Sequence, residues 1–169
     1  MNGFRLIFSL LICSILLLFT SCNSNVFYEK SDPIEKGIWD KNHILHYQFE
    51  VNDSMEYYDI YVDVRNTIDY KYQNLYIFLT TEYPGGARFT DTLGCILCDK
   101  YGEWYGKGKG EFRDNNFLLM RQVRFQRTGI YNLYVEQAMR EDELQGISDF
   151  GIRINHFKPQ KQRKDQASN

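Results

Sequence analysis

Cys22 carries the clearest chemistry in the sequence. It follows the small residues Thr20-Ser21, which follow an apolar run at residues 6–19 interrupted only by Ser9 and Ser14. Arg5 is the sole charge among the first 28 residues. A cationic start, an apolar run and small residues at a cut site describe a secretory signal peptide. A cysteine directly after them describes the bacterial lipoprotein form. In that form the Cys22 thiol takes a diacylglycerol through a thioether, the chain is cut before it, and the new amino group is acylated. One acyl chain holds a protein marginally and two or three hold it durably, at about 0.8 kcal/mol per buried CH₂. The competing reading is a transmembrane anchor, but the run is 14 residues, short of the roughly 20 a spanning helix needs. Phe19 departs from the pattern, since Leu is commonest three positions before the cysteine.

Other residues of chemical interest give weaker signals. Cys95 and Cys98 form Cys-x-x-Cys. In an oxidising compartment they are a candidate disulfide. The same spacing serves redox motifs and half-sites for zinc, though no second pair completes four ligands. On one continuous strand the two would face apart and stay free thiols. His43 and His46 form His-x-x-His at a strand start, where positions three apart also diverge. Gly106, Gly108 and Gly110 match neither the dinucleotide fingerprint nor a P-loop, and no helix pattern follows to receive a phosphate. A tight loop displaying Trp104 and Tyr105 fits better. Asp59 and Asp63 share a strand face, as solvated acids often do. No G-x-S-x-G elbow occurs. The expectation is a non-enzyme without metal or cofactor. Trp39, Tyr57, Tyr61 and Trp104 are the aromatics a glycan platform would use, with ordinary cross-strand pairing as the plainer alternative.

These residues need a scaffold, and the alternation supplies one. In residues 44–51, Leu45, Tyr47, Phe49 and Val51 oppose His46, Gln48 and Glu50. In residues 57–65, Tyr58, Ile60, Val62 and Val64 oppose Tyr57, Asp59, Tyr61, Asp63 and Arg65. Both read as half-buried strands. Residues 73–82 are apolar on both faces and predict a central strand. Pro84-Gly85-Gly86 marks a turn into a return strand from residue 87. Residues 117–125, 130–136 and 150–157 add strands, and residues 137–145 hold the one plausible helical turn. The fold class is all-β: a single two-sheet antiparallel β-sandwich of Ig-like or jelly-roll type. It occupies residues 37–157, behind a signal at 1–21 and a lipidated tether at 22–36. A disordered basic tail follows at 158–169.

Without Arg5 the mature chain holds 19 Lys+Arg against 22 Asp+Glu, net −3. That excludes a basic nucleic-acid footprint.

Several segments in order resemble the gliding motility lipoprotein GldH family of Bacteroidetes: Gly37-Ile38-Trp39, R-N-T-I-D-Y-K-Y-Q-N-L-Y-I-F-L at 65–79, Asp91-Thr92-Leu93, G-E-W-Y-G-K-G-K-G at 102–110, E-Q-A-M-R at 136–140 and G-I-S-D-F-G-I-R-I at 146–154. The resemblance spans the chain from residue 1 to about 157. It implies a cell-envelope lipoprotein tied to gliding and the linked secretion machinery, with no known catalytic activity and no known ligand. Asn23-Ser24-Asn25 lacks the acids that mark surface-exposed lipoproteins of that phylum, which implies an outer-membrane position facing the periplasm. Ser54 and Thr92 would fall in the phylum's Asp-Ser/Thr-apolar O-glycosylation pattern. The family-like segments outside clean alternation, at 65–69, 104–109 and 139–146, are expected to be loops. Loops on a rigid scaffold concentrate binding residues, so Arg65, Trp104 and Arg140 are the candidate contacts with envelope or secretion partners. The alternative is structural: Trp104 plugs the sandwich, and Arg65 pairs with Asp63 or Asp69.

Overall fold

A computed structural model describes residues 25–158. The signal, Cys22 and the tail beyond Lys158 lie outside the described residues.

The alternation read from sequence becomes strands with one dry face. In β3 (Leu45–Val51) every second residue from Leu45 is buried and the intervening ones are exposed. In β4 (Tyr58–Thr67) Tyr58, Ile60, Val62 and Val64 point inward. Strand β5 (Asn74–Glu82) buries Leu75, Ile77 and Leu79 and leaves Tyr76 and Phe78 exposed. It is central, between β6 (Arg88–Ile96) and β8 (Gly129–Gln137), but its second apolar face is a surface. Pro84-Gly85-Gly86 makes the β5–β6 turn, with Gly85 and Gly86 both at positive φ.

Two four-stranded antiparallel sheets face each other. One has the order β1-β10-β4-β7 and the other β3-β8-β5-β6, where β1 is Val26–Pro33, β7 is Phe112–Val123 and β10 is Ile147–His156. Counting only these eight strands, the first pairs the last, the second the seventh, the third the sixth and the fourth the fifth. That is a long hairpin rolled upon itself, the jelly-roll arrangement, and it selects between the two sandwich types expected. A two-stranded ribbon, β2 (Ile38–Asp40) with β9 (Glu143–Gln145), closes one end. It drives Trp39, fully buried, against Phe150 at a ring separation of 5.3 Å.

Three expectations are corrected. The tether assigned to residues 22–36 is not one over most of its described length. Residues 26–33 form β1, which pairs with β10 along its whole span, and Ile34 enters the core. The helical turn expected at 137–145 is a loop followed by β9. Gln137 Nε2 donates to the Glu141 carbonyl at 2.6 Å and Gln137 Oε1 accepts from Met139 N–H at 2.8 Å. These side-chain bonds replace the helical ladder. Arg65 lies on β4, not in a loop; the connection begins at residue 68.

Core position and chemistry set two expectations. Val62 is 1% exposed, so Val62→Asp buries an uncompensated charge costing several kcal/mol. It should abolish the cooperative urea transition followed by circular dichroism. Asp63 sits on the wet side of the same strand, 3.2 Å from Arg153; Asp63→Asn should cost under about 1 kcal/mol.

The second concerns pH. Burial pushes the Cys95 thiol up to about 11 and the Tyr58 hydroxyl up to about 12, and it raises Tyr47 and Tyr70 further. The unfolded chain loses these protons from about pH 9 upward, while the folded chain keeps them. The native state therefore binds more protons in that range, and stability falls as pH rises. The urea midpoint should be insensitive to these groups below pH 8.5 and decline progressively between about pH 9 and 12.

Candidate functional site

One end of the sandwich collects the connections with least regular structure: 34–44, 68–73, 97–111 and 138–146. Most of the family-like segments lie here or run into it. The loops are tied to one another, not merely adjacent. Leu97 N–H donates to the Gln73 carbonyl at 2.7 Å, and Ile68 N–H to the Glu111 carbonyl at 2.8 Å. Tyr72 Oη donates to Glu141 at 2.6 Å, which raises the Tyr72 pKa. Thr67 N–H reaches the Gly146 carbonyl at 2.8 Å.

The glycine-rich segment folds back onto β7. Lys107 and Asp114 exchange backbone hydrogen bonds at 2.9 and 2.7 Å. Gly106 presses on the side-chain amide of buried Asn115, where a Cβ would lie 2.7 Å from Oδ1. Asn115 Nδ2 donates to Asn66 Oδ1 at 2.8 Å and Oδ1 has no partner. At Gly108, with φ +152°, a Cβ would strike the Phe112 carbonyl. Gly106 and Gly108 thus serve close approach, and Gly110 supplies a positive φ of +71° in open space.

The candidate residues fall in different places. Trp104 is half-buried: it pairs with Cys98 in an isolated bridge and packs against the core. The exposed aromatics of its loop are Tyr101 and Tyr105, at 79% and 65%. Arg65 lies on the outer face of the first sheet. Its Nε donates to Asp114 at 2.6 Å, a guanidinium nitrogen lies 3.9 Å from Asp149, and Asp114 raises its pKa. Both partners come from neighbouring strands, not from the expected Asp63 or Asp69. Asp63 instead takes Arg153, which stacks over Tyr61 at 4.5 Å. Arg140 is exposed beside Tyr72, Tyr76, Ala138 and Met139. The ion pairs among the described residues do not include it. Tyr76 lies over Gly94, whose missing side chain makes room for the ring. Tyr72, Tyr76, Tyr101 and Met139 are the signal missed in sequence; the display of Tyr105 was expected.

The glycan platform does not assemble. Trp39 is fully buried, Trp104 packs inward, Tyr57 lies at the opposite end and Tyr61 is covered by Arg153. Cys95 and Cys98 are both buried free thiols. The His46 ring stacks on Tyr134 and hydrogen-bonds Asn132, and the His43 backbone carbonyl accepts from Trp39 Nε1. No group of three or more His, Cys, Asp or Glu able to hold a metal occurs among the described residues. Of the O-glycosylation candidates, Thr92 is exposed on edge strand β6 and Ser54 is half-exposed in the β3–β4 turn.

Fold and site together define a jelly-roll module whose distinctive part is a tied loop cluster with exposed Tyr and Arg around half-buried Met139. Residues 26–154 match the family model for the GldH lipoprotein, from the first residue of β1 to within β10. The chain belongs to the GldH lipoprotein family. It is 32% identical over 146 residues to a gliding motility lipoprotein GldH homolog of Christiangramia forsetii, covering 82% of this chain and 89% of that protein. It is 27% identical over 152 residues to the gliding motility lipoprotein GldH of Flavobacterium johnsoniae, covering 86% and 93%.

The glycine geometry ranks three substitutions. Gly108→Ala should destabilise by about 2 kcal/mol or more, since backbone must move. Gly106→Ala should cost a similar amount through Asn115. Gly110→Ala, at φ +71° with open space around it, should cost only about 1 kcal/mol. Chemical denaturation of the three variants checks the order.

Proposed function

We propose that this protein is a non-enzymatic lipoprotein of the cell envelope, anchored through acylated Cys22, that works in gliding motility and its linked secretion machinery by contacting other envelope proteins. The names of its relatives support the process. The lipoprotein signal supports the anchor, and the non-acidic Asn23-Ser24-Asn25 supports the periplasmic side of the outer membrane.

The observation that carries the contact reading is Arg140. It is an exposed guanidinium without an ion-pair partner among the described residues, set among Tyr72, Tyr76 and Met139. Arginine and tyrosine are the residue types that most often dominate binding energy, and methionine adapts to partners. Arg65 and Trp104 remain in the proposal with altered weight. Arg65 reaches a partner only by leaving Asp114, and Trp104 serves mainly to hold its loop.

Two measurements follow. Cys22→Ser should abolish incorporation of labelled palmitate, while wild type carries it; label persisting in the variant would refute the anchor. Arg140→Glu should leave the melting temperature unchanged and reduce crosslinked envelope complexes about tenfold or more, the loss of a residue worth ~2 kcal/mol. Gln48→Ala, on exposed β3, should change neither. Complexes that survive both Arg140→Glu and Tyr76→Ala in folded protein would place the contact elsewhere.

A further inference from the structure

The end opposite the loop cluster has a different chemistry. Strands β7 and β6 are the outer strands of the two sheets on the same side, across from β1 and β3. Toward the β5–β6 turn the sheets part. A cleft of about 510 Å³ opens between Leu79 and Leu133 of one sheet and Ile60 and Leu119 of the other. That volume lies in the range of small-molecule sites, which are mostly apolar with a few placed polar groups. Irregularity in β7 shapes the cleft. The β4–β7 register breaks around Ile60, and Gln122 takes φ +53°. Bulges of this kind re-aim side chains beside binding sites. Here Phe125 turns back onto Phe49 and Tyr58, at 5.3 Å from each.

Arg124 and Arg127 flank Phe125 in the cleft lining. Among the described residues neither has a carboxylate within 4.0 Å. Of the acids at this end, Glu50 is exposed on the outer face of β3, Glu82 pairs with Arg88, and three others have partners of their own. Asp53 accepts from Met55 N–H, Glu56 from Tyr58 and His156, and Asp59 from Gln122 N–H.

The described residues begin at this same end. Phe27 of β1 packs on Phe49 and Tyr58, the two rings that Phe125 also meets. Only three residue steps separate Cys22 from Asn25, a span of at most about 11 Å when extended. An acyl group on Cys22 therefore draws this end, and the cleft with it, to the bilayer surface. Exposed Met55, Tyr57 and Tyr83 lie in the turns here, and tyrosine suits a boundary that is apolar on one side and wet on the other.

We propose that this cleft holds one anionic phospholipid of the anchoring membrane, an acyl chain between Leu79, Leu119 and Leu133 and the phosphate against Arg124 and Arg127. The inference rests on the anchor reading above, because the bilayer as source depends on acylation at Cys22. It assigns the membrane-proximal end to lipid and leaves the loop end for protein partners.

The experiment uses the full chain, matured in a bacterial membrane, extracted in nonionic detergent and stripped of bound lipid. Phosphatidylglycerol is titrated in, with phosphatidylcholine as the neutral comparison, and native mass spectrometry counts bound lipid. A denaturing mass spectrum of the same sample reads covalent acylation separately. The expected result is one phosphatidylglycerol per chain, bound more tightly than phosphatidylcholine. Binding should weaken roughly tenfold or more in the Arg124→Glu/Arg127→Glu variant, as two reversed charges beside an anionic headgroup require. Those side chains are exposed, so the fold should survive. Leu119→Trp, which fills the cleft, should also reduce occupancy. An acylated chain that binds no lipid, binds the two lipids equally, or binds undiminished in the arginine variant overturns the proposal. So does recovery of a peptide in place of lipid. An unmodified Cys22 overturns the anchor reading and, with it, the bilayer as source.

Discussion

The two sheets are joined by a hydrogen bond as well as by burial. Tyr47, fully buried on β3, donates its hydroxyl 2.9 Å to the carbonyl of Phe150 on β10. Burial and nearby Asp32 hold this phenol in its neutral, donating form. A tyrosine can cross a dry core only if its oxygen finds a partner there, so the bond fixes where β3 sits over β10. From β10 the rest is determined outward. The strand pairs with β1 on one side and β4 on the other, and Phe150, Ile152 and Ile154 present fully buried side chains. Trp39 packs against the same Phe150 and closes the loop end.

The two ends of the sandwich do different work because different residues interrupt the strands there. At the loop end, glycines permit close approach and buried amides occupy the gaps. Among the described residues, Asn66, Asn115 and Gln137 are the buried polar side chains, and all three face the loop connections. Networks of this sort make a unique arrangement when satisfied, and here the exception is Asn115 Oδ1, against which Gly106 lies. At the other end, aromatic rings do the joining. Phe27, Phe49, Tyr58, Phe125 and Tyr131 form a contiguous cluster, mostly of tilted rings, that leaves space between the sheets at its margin.

Strands with one wet face were readable from the chain. The alternation in β3 and β4 states both the strand and the face, because water on one side enforces period two. Strand β1 was not readable: V-F-Y-E-K-S-D-P alternates poorly, and its charges and terminal proline are the marks of an edge strand. The E-Q-A-M-R-E-D-E-L run is rich in helix formers, yet Gln137 binds the backbone ahead of it and Gly146, at φ +97°, leads into β10. Local preference lost to tertiary pairing with β2. The site was legible only in part for a similar reason. That Arg140 would be exposed follows from its loop. That Arg65 would be held by Asp114, 49 positions away, depends on which strands become neighbours.

The shortness of the link before β1 also has a mechanical consequence. A surface motor or a secretion channel works under load, and load on an anchored protein enters through its anchor. With the lipid on Cys22, as proposed above, the leash would be too short to absorb displacement, and tension would pass almost at once into β1. That strand runs from the anchored end toward the loop end, antiparallel to β10. Pulling along it loads the whole β1–β10 ladder in shear, with its hydrogen bonds sharing the force, instead of peeling them one after another. Resistance to forced unfolding is a matter of rate, and shear is the geometry that keeps that rate low. An edge strand that looks expendable in a static structure is the element through which such a protein would bear tension.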